Sequence, residues 1–184
     1  MGATGVSGAR YLTRQGLPFA ATDSRAHPSA GEALNGLGQI PCSFGGFACP
    51  LPLDQITEAV VSPGVSLDEP FLLELQAAGV PLIGDIELFA RAVCRVPSPG
   101  SRVPMVIAIT GSNGKSTVAA LVAAMVRQAG RSVALGGNFG PPALDVLDPR
   151  VEVYVLELSS FQLALTDGLS PTAAVVLNLS ADHI

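Results

Sequence analysis

An apolar run passes directly into a glycine-rich loop in Met105-Val-Ile-Ala-Ile-Thr-Gly-Ser-Asn-Gly-Lys-Ser-Thr117. The apolar residues suit a central strand of a parallel sheet, and we expect a helix to follow from Ser116 to about Gln128. Strand, glycine-rich loop and helix in this order are typical of a loop that cradles phosphate groups. The stretch therefore predicts an α/β unit that binds phosphates.

The chemistry of the loop residues agrees with this prediction. Backbone N–H groups and the helix N-terminus offer positive partial charge, Lys115 can reach terminal phosphates, and the Ser116 hydroxyl suits Mg²⁺. The strict pattern G-x-x-x-x-G-K-[ST] needs glycine at position 109, where this chain has Ile109, so the loop is a shortened variant. The alternative is a glycine turn that only caps a helix. Lys115 is the only lysine in the chain, which favours the phosphate-binding interpretation.

Polar side chains that follow two later apolar runs are further candidates. Glu157 ends the run Tyr154-Val-Leu-Glu157, and a buried carboxylate needs a metal or another cation as its partner; the alternative is an exposed residue at the strand end. Ser159 either orients a phosphate or caps the next helix. His183 either ligates a metal through a neutral imidazole or lies in a surface turn.

The N-terminal segment carries a weaker signal for nucleotide binding. Gly2-x-x-Gly5-x-x-Gly8 opens a helix that we predict at Val6–Gln15, and a lone glycine series is not specific. Asp23 follows a short predicted strand at 19–22, at about the position where dinucleotide folds place the carboxylate that contacts a ribose. On chemistry alone this leaves NAD, FAD and a UDP-sugar open.

Strands and helices alternate along the remaining chain, which predicts an α/β fold with parallel sheets. A Pro/Ser/Gly-rich segment at 96–104 predicts a linker between an N-terminal domain at 1–95 and a second domain at 105–184. Both domains look incomplete, because no strand precedes Gly2 and the chain stops soon after its last strand, so we expect a partial chain. The other predicted strands lie at 59–61, 132–135, 153–158 and 173–179, and the other helices at 68–78, 85–93 and 142–147.

Composition excludes several classes of protein. The chain has 184 residues, of which 48% are hydrophobic and 14% charged, with a formal net charge of -5. This excludes intrinsic disorder, and without a basic face we expect no binding to nucleic acid or to membranes. The longest apolar run, Val118–Val126, is too short to span a bilayer, and no signal peptide is evident, so we expect a cytoplasmic protein. The cysteines are predicted to be buried thiols: Cys42, Cys49 and Cys94.

Four motifs in this order resemble the Mur ligases of bacterial peptidoglycan synthesis: Thr110–Thr117, Gly136-Gly-Asn-Phe-Gly140, Leu156-Glu-Leu-Ser-Ser-Phe-Gln-Leu163 and Asn178-Leu-Ser-Ala-Asp-His183. The resemblance extends to three short motifs of the first domain, Gly2-Ala-Thr-Gly5, Thr22-Asp-Ser-Arg25 and Ser62-Pro-Gly64. It implies a Rossmann-like UDP-sugar-binding domain without its first strand, followed by the first part of a phosphate-loop central domain.

The resemblance also implies an activity. The motifs Gly136-Gly-Asn-Phe-Gly140 and Glu157-Leu-Ser-Ser-Phe-Gln-Leu163 are most similar to those of the members that use ATP and Mg²⁺ to join D-glutamate to UDP-N-acetylmuramoyl-L-alanine through an acyl phosphate, with release of ADP and phosphate. It implies a monomer when full length, whereas we expect the 184-residue chain alone to be inactive. The alternatives are another Mur-type ligase, a folylpolyglutamate-type ligase, or a phosphate-loop module without ligase activity.

The family's functional residues fall on matching positions of this chain. By resemblance, Lys115, Asn138 and His183 are catalytic, and Ser116 and Glu157 hold one Mg²⁺ while His183 ligates a second. Asn138 would contact the UDP-sugar near its reacting end, and Ser159 would also bind substrate. The uridine pocket would be formed by Thr4, Asp23, Ser24, Arg25 and Gly64. The ATP phosphates would be bound by Gly111, Ser112, Asn113, Gly114, Lys115, Ser116 and Thr117.

Overall fold

The computed structural model of the chain describes residues 2–28, 31–94 and 103–180, with the backbone alone at residue 32. Contacts within the chain divide it into two compact units, residues 1–85 and residues 86–184. Each unit combines helices with parallel strands, which confirms the predicted α/β class. None of the described helices is long and apolar enough to cross a bilayer.

The first unit contains two parallel strand pairs. Strand β1 (Ala21–Asp23) pairs with β2 (Cys42–Phe44), and β3 (Ala59–Val60) pairs with β4 (Leu82–Ile83). Helices connect the partners of each pair, as parallel strands require. These helices are α2 (Gly31–Asn35) and α3 (Pro70–Ala77).

Helix α1 (Ala3–Arg14) begins three residues before the predicted start at Val6. Gly5 and Gly8 therefore lie inside the helix, although glycine disfavours a helix interior by about 1 kcal/mol relative to alanine. Burial of Val6, Ala9 and Tyr11 outweighs this cost. The glycine series thus forms the helix itself, and only Gly2 and the first turn lie at its N-terminus.

The second unit is built around a four-stranded parallel sheet in the order β6-β7-β5-β8. The glycine-rich loop joins β5, a central strand, to helix α5, as predicted. The predicted helix at 142–147 is wrong, because only a 3-10 turn forms at Ala143–Asp145. Pro149 disfavours helical backbone at Asp148, so a helix is not expected to continue past Leu147. The elements are β5 (Met105–Thr110), α5 (Lys115–Gln128), β6 (Val133–Gly137), β7 (Val153–Glu157), α6 (Ser160–Leu163) and β8 (Ala173–Val176).

Strand β7 and one face of α5 form the core of this unit. All five residues of β7 are buried, and small side chains such as Ala119 and Ala123 let α5 approach the sheet closely. Ile109 of β5 is fully buried in the same cluster. The core therefore fixes the end of β5 and the first turns of α5, which are the two elements that flank the glycine-rich loop.

Helix α4 (Asp85–Cys94) packs almost entirely within the second unit. The Glu87 carboxylate accepts hydrogen bonds from the N–H groups of Asp167 (3.0 Å) and Gly168 (2.7 Å) and from Arg91 Nε (3.0 Å). Burial raises the pKa of Glu87, but the Gly168 N–H, Arg91 and the Asp167 N–H outweigh it and hold the pKa below its usual value. The units therefore divide at Asp85, before the linker predicted at 96–104, of which residues 96–102 lie outside the described residues.

The prediction of buried thiols is wrong. Cys42 and Cys94 are exposed, and Cys49 is partly buried. Strand β2 pairs in the described structure with β1 alone, so its residues Cys42 and Phe44 face solvent. Cys94 is the last residue of α4 and lies beyond the part of that helix that is packed.

Candidate functional site

The loop between β5 and α5 depends on two glycines with positive φ. Gly111 has a φ of 140°, and a Cβ there would lie 3.1 Å from the backbone N and O of Asn178. Gly114 precedes α5 in the left-handed conformation, with a φ of 84°. Both conformations are unfavourable for residues with a side chain, so the glycine spacing of this loop is a requirement of its geometry.

The start of α5 is open to an anion. The first N–H groups of a helix have no intrahelical acceptor, and within the described part of the chain no side chain caps this helix. The first hydrogen bond of the helix that reaches back to the loop runs from Val118 N–H to Gly114 O (3.0 Å). The N–H groups at Lys115, Ser116 and Thr117 therefore present positive partial charge at the loop.

The chain's only lysine lies on the same loop. Lys115 Nζ donates to the carbonyl oxygens of Gly111 (2.7 Å) and Ser112 (3.2 Å). Both acceptors are neutral carbonyls, so neither of them offsets the charge of the ammonium. A bound phosphate would offer it stronger, charged acceptors.

Ser116 and Asn138 meet the carboxylate of Glu157. Ser116 Oγ donates to Glu157 Oε2 (2.7 Å), and Asn138 Nδ2 donates to Glu157 Oε1 (3.0 Å). The strand register produces this meeting, since Glu157 of β7 pairs with Ile109 of β5 and with Gly137 of β6. Glu157 is 2% exposed, and both of these donors are neutral. A buried carboxylate in this setting gains strongly from a cation.

These residues fit a magnesium ion. A hydroxyl and a carboxylate are hard oxygen ligands, and Mg²⁺ usually takes one or two protein ligands together with phosphate oxygens and water. Residues 2–28, 31–94 and 103–180 contain no group of three or more His, Cys, Asp or Glu that could hold a metal without such help. The fit is therefore to a metal that arrives with a phosphate ligand.

Close approach of β6 to β7 places Asn138 at this site. Asn138 N–H donates to the Glu157 carbonyl (2.8 Å), and Gly137 has a φ of 110°. A Cβ on Gly137 would overlap the Glu157 carbonyl oxygen, and a Cβ on Gly136 would lie 2.7 Å from Pro141 O. Gly136 and Gly137 thus let the backbone next to Glu157 come close enough for the hydrogen bond.

Substitution of Gly137 tests this close approach, with Gly140 as the matched control. Both glycines have positive φ, but a Cβ on Gly140 would have no atom within 4 Å. We expect Gly137→Ala to lower the free energy of unfolding by about 2 kcal/mol more than Gly140→Ala, because only Gly137→Ala adds a steric clash to the conformational cost. Urea unfolding of both variants measures the difference, and equal destabilisation would contradict the argument.

The N-terminal candidates lie in the first unit. Asp23 is buried, and its carboxylate accepts from Arg25 at Nε (3.0 Å), a terminal guanidinium nitrogen (3.0 Å) and the backbone N–H (2.9 Å). Ser24 and Gly64 are exposed, and Thr4 lies in the first turn of α1. The structure brings Asp23 and Arg25 together as an ion pair, while contact of these residues with uridine stays a prediction.

Ser159 and His183 are the two remaining candidates from the second domain. Ser159 Oγ accepts from Gln162 N–H (3.2 Å), and Gln162 Oε1 accepts from Ser159 N–H (3.2 Å), which forms a capping box on α6. The helix-capping alternative for Ser159 is therefore confirmed, and its contact with substrate stays a prediction. His183 lies outside the described residues, so its role as a metal ligand also stays a prediction.

Two residues that organise the loop, Thr110 and Asn178, were not among the predicted site residues. Thr110 Oγ1 donates to Leu158 O (2.9 Å), which ties the end of β5 to the end of β7. Asn178 bonds to Asn113 through both ends of its side-chain amide. The motif around Asn178 was visible in the sequence, but nothing local to it indicates a partner 65 residues earlier in the chain.

These features define a phosphate-loop protein: a central parallel strand, a glycine-rich loop and an open helix start, with Lys115 and the bond from Ser116 to buried Glu157 beside them. Comparison with known families narrows this class. The profile described as Mur ligase MurD-like, N-terminal domain, matches residues 1–84, and the profile of the Mur ligase middle domain matches residues 109–184. The chain belongs to the Mur ligase family.

Curated relatives match over the whole chain. Those from Nitrosococcus oceani, Marinobacter nauticus and Shewanella oneidensis are 49%, 47% and 44% identical to it. Each is named UDP-N-acetylmuramoylalanine--D-glutamate ligase, and the match covers 100% of this chain and 39%, 39% and 40% of the three relatives. The chain thus spans about 40% of the length of these relatives.

A solved structure shares the fold. The UDP-N-acetylmuramate:L-alanyl-gamma-D-glutamyl-meso-diaminopimelate ligase from Neisseria meningitides aligns with a TM-score of 0.53 at 19% identity. The alignment covers 100% of this chain and 59% of that chain. At this level of identity the likeness supports the fold alone.

Proposed function

We propose that the protein containing this chain is an ATP-dependent ligase that joins D-glutamate to the alanyl carboxylate of UDP-N-acetylmuramoyl-L-alanine. The observation that carries the ATP half of this proposal is the meeting of Ser116 with buried Glu157 beside the Lys115 loop. The choice of the two other substrates rests on the name shared by relatives that are 44–49% identical along the whole chain.

The described residues divide the work of binding ATP. The N–H groups at the start of α5 would hold the phosphates, and Lys115 would contact the terminal ones. Ser116 and Glu157 would hold Mg²⁺, which supplies positive charge that offsets the charge of the phosphates. Because the carboxylate and ATP are both anionic, this concentration of positive charge is what allows them to approach.

The reaction that fits these parts has two displacements. A carboxylate oxygen of the alanyl group attacks the terminal phosphorus, the bond from that phosphorus to ADP breaks, and an acyl phosphate forms. The amine of D-glutamate then attacks the acyl carbon, loses a proton to solvent and expels inorganic phosphate. This chain's residues act by orientation and charge: they hold the phosphoryl group in place and neutralise it.

The remaining candidate residues would bind the UDP-sugar substrate or, in the case of His183, a second Mg²⁺. Asn138 Oδ1 accepts no hydrogen bond within the described residues, so it remains able to bind the sugar-linked substrate while Nδ2 holds Glu157. Thr4, Asp23, Ser24, Arg25 and Gly64 would line the uridine pocket, Ser159 would contact the substrate, and His183 would ligate a second Mg²⁺. Because both nucleotide substrates are made in the cytoplasm, we place the reaction there.

A coupled assay on the full-length gene product tests the proposal. We expect release of ADP and phosphate in the presence of ATP and Mg²⁺ only when both UDP-N-acetylmuramoyl-L-alanine and D-glutamate are added. L-Glutamate, L-lysine and meso-diaminopimelate serve as competing acceptors, and a mass measurement identifies the product. ATP hydrolysis without the UDP-sugar would indicate a nucleotide switch instead, and coupling of another amino acid would indicate a sibling ligase.

A further inference from the structure

A segment after β8 lies directly against the phosphate loop. We call residues 177–180 the clamp segment. Ser112 N–H donates to Asn178 O (3.0 Å), and Ser180 N–H donates to Ser112 Oγ (2.9 Å). A Cβ at Gly111 would lie 3.2 Å from Leu177 Cβ. The first half of the loop is therefore packed and hydrogen-bonded along this segment.

The Asn178 side chain makes the most specific of these contacts. Its Oδ1 accepts from Asn113 N–H (2.8 Å), and its Nδ2 donates to Asn113 O (2.9 Å). One amide thus satisfies both backbone groups of one loop residue. Aspartate lacks the donor and alanine lacks both groups, so asparagine is specifically suited to this pairing.

These bonds divide the loop into two functional halves. The N–H groups of Ser112 and Asn113 point to Asn178 and are engaged there. The N–H groups at the start of α5 have no acceptor in their own helix. The N–H groups that remain for a phosphate therefore lie mainly at the start of α5, while contact of residues 111–113 with the phosphates stays a prediction.

The clamp acts on the part of the loop with the greatest backbone freedom. Ser112 and Asn113 lie between two glycines with positive φ, and Asn113 and Asn178 are both exposed, so packing against a core does not hold them. Without the amide pairing, the loop would have to be ordered each time a phosphate binds, and that ordering would reduce affinity.

We infer that Asn178 is a positioning residue, which holds the peptide of Asn113 so that the N–H groups after it, together with Lys115, converge on the terminal phosphates of ATP. This inference rests on the proposed function only in requiring that the loop binds a polyphosphate. It assigns Asn178 no contact with ATP itself.

Kinetics of Asn178→Ala in the full-length protein test the inference. We expect the KM for ATP to rise about tenfold, as the loss of two ordering hydrogen bonds implies, with kcat and the KM for D-glutamate unchanged. A residue that only stabilised the fold would lower the active fraction, so kcat would fall while both KM values stayed constant. That second pattern would overturn the inference.

Two further variants sharpen the kinetic test. Asn178→Asp keeps the acceptor for Asn113 N–H but loses the donor and adds a negative charge beside the loop, so we expect at least the same rise in the KM for ATP. Asn35→Ala makes the same exchange at an exposed asparagine that ends α2 in the first unit, and we expect no change. A rise in Asn35→Ala equal to that in Asn178→Ala would overturn the assignment.

Calorimetric binding of inorganic tripolyphosphate with Mg²⁺ separates this inference from the proposed ligase activity. This probe occupies the cradle without a nucleoside, and we expect Asn178→Ala to weaken its binding about tenfold. If the wild-type protein binds the probe but couples no D-glutamate, the ligase proposal fails, whereas the role of Asn178 is still decided by comparing the variant with the wild type. Equal affinity in wild type and variant overturns the clamp, and so does absence of binding by the wild type, while the ligase proposal is decided by the coupled assay alone.

Discussion

Replacement of Lys115 by alanine should remove nearly all ligation, with kcat/KM for ATP reduced about a thousandfold or more. Lys115 is the only lysine of the chain, and its ammonium lies on the loop carbonyls of Gly111 and Ser112. These 184 residues contain no second lysine that could supply a compact ammonium at this place. Initial rates of phosphate release in the full-length protein measure the loss.

Three control measurements show whether Lys115→Ala loses ligation because it no longer holds the ATP phosphates. Lys115→Arg should restore little activity, because the guanidinium fork does not fit where a compact ammonium fits. Arg127→Ala, which removes an exposed charge in the last turn of α5, should leave activity unchanged. Binding of the UDP-sugar by calorimetry should stay intact in Lys115→Ala. Ligation that survives this substitution would refute the role of the phosphate loop.

Glu157→Gln should separate activity from stability. We expect kcat at a fixed Mg²⁺ concentration to fall about a hundredfold and the Mg²⁺ concentration for half-maximal rate to rise, because a neutral amide is a weaker ligand than a carboxylate. The melting temperature should stay equal or rise, because the substitution removes a buried charge whose donors, Ser116 and Asn138, are neutral. Mg²⁺ titration of the rate and thermal unfolding measure the two effects.

Glu152→Gln provides the matched control for this substitution. Glu152 is half exposed and lies just before β7, at the opposite end of the strand from Glu157. We expect its replacement to leave the Mg²⁺ requirement unchanged. Loss of activity in Glu157→Gln without any change in the Mg²⁺ requirement would count against a metal ligand, and a large fall in its melting temperature would show that the carboxylate is structural.

The elements of the second unit could be predicted where the pattern is long and local. The strand at 105–110, the glycine-rich loop and the helix to Gln128 carry an apolar run, two glycines and a helical period. The strands β2 and β4, of three and two residues, were not predicted, whereas β3, also of two residues, was predicted from the apolar run Ala59-Val-Val61. Helix α1 begins at Ala3 and not at the predicted Val6, because tertiary burial outweighs the low helix propensity of Gly5 and Gly8.

In the candidate site, too, local features could be predicted from the sequence, whereas contacts between distant residues could not. The residue types at Lys115, Ser116 and Glu157 already indicated phosphate and metal chemistry, because charge and ligand preference belong to the side chain itself. Three contacts arise only in the folded chain: the amide of Asn178 on Asn113, the bond from Asn138 to Glu157, and the bonds from residues 167 and 168 to Glu87 of α4. Each joins residues far apart in sequence, and strand register and helix packing, which no local pattern encodes, set the distances between them.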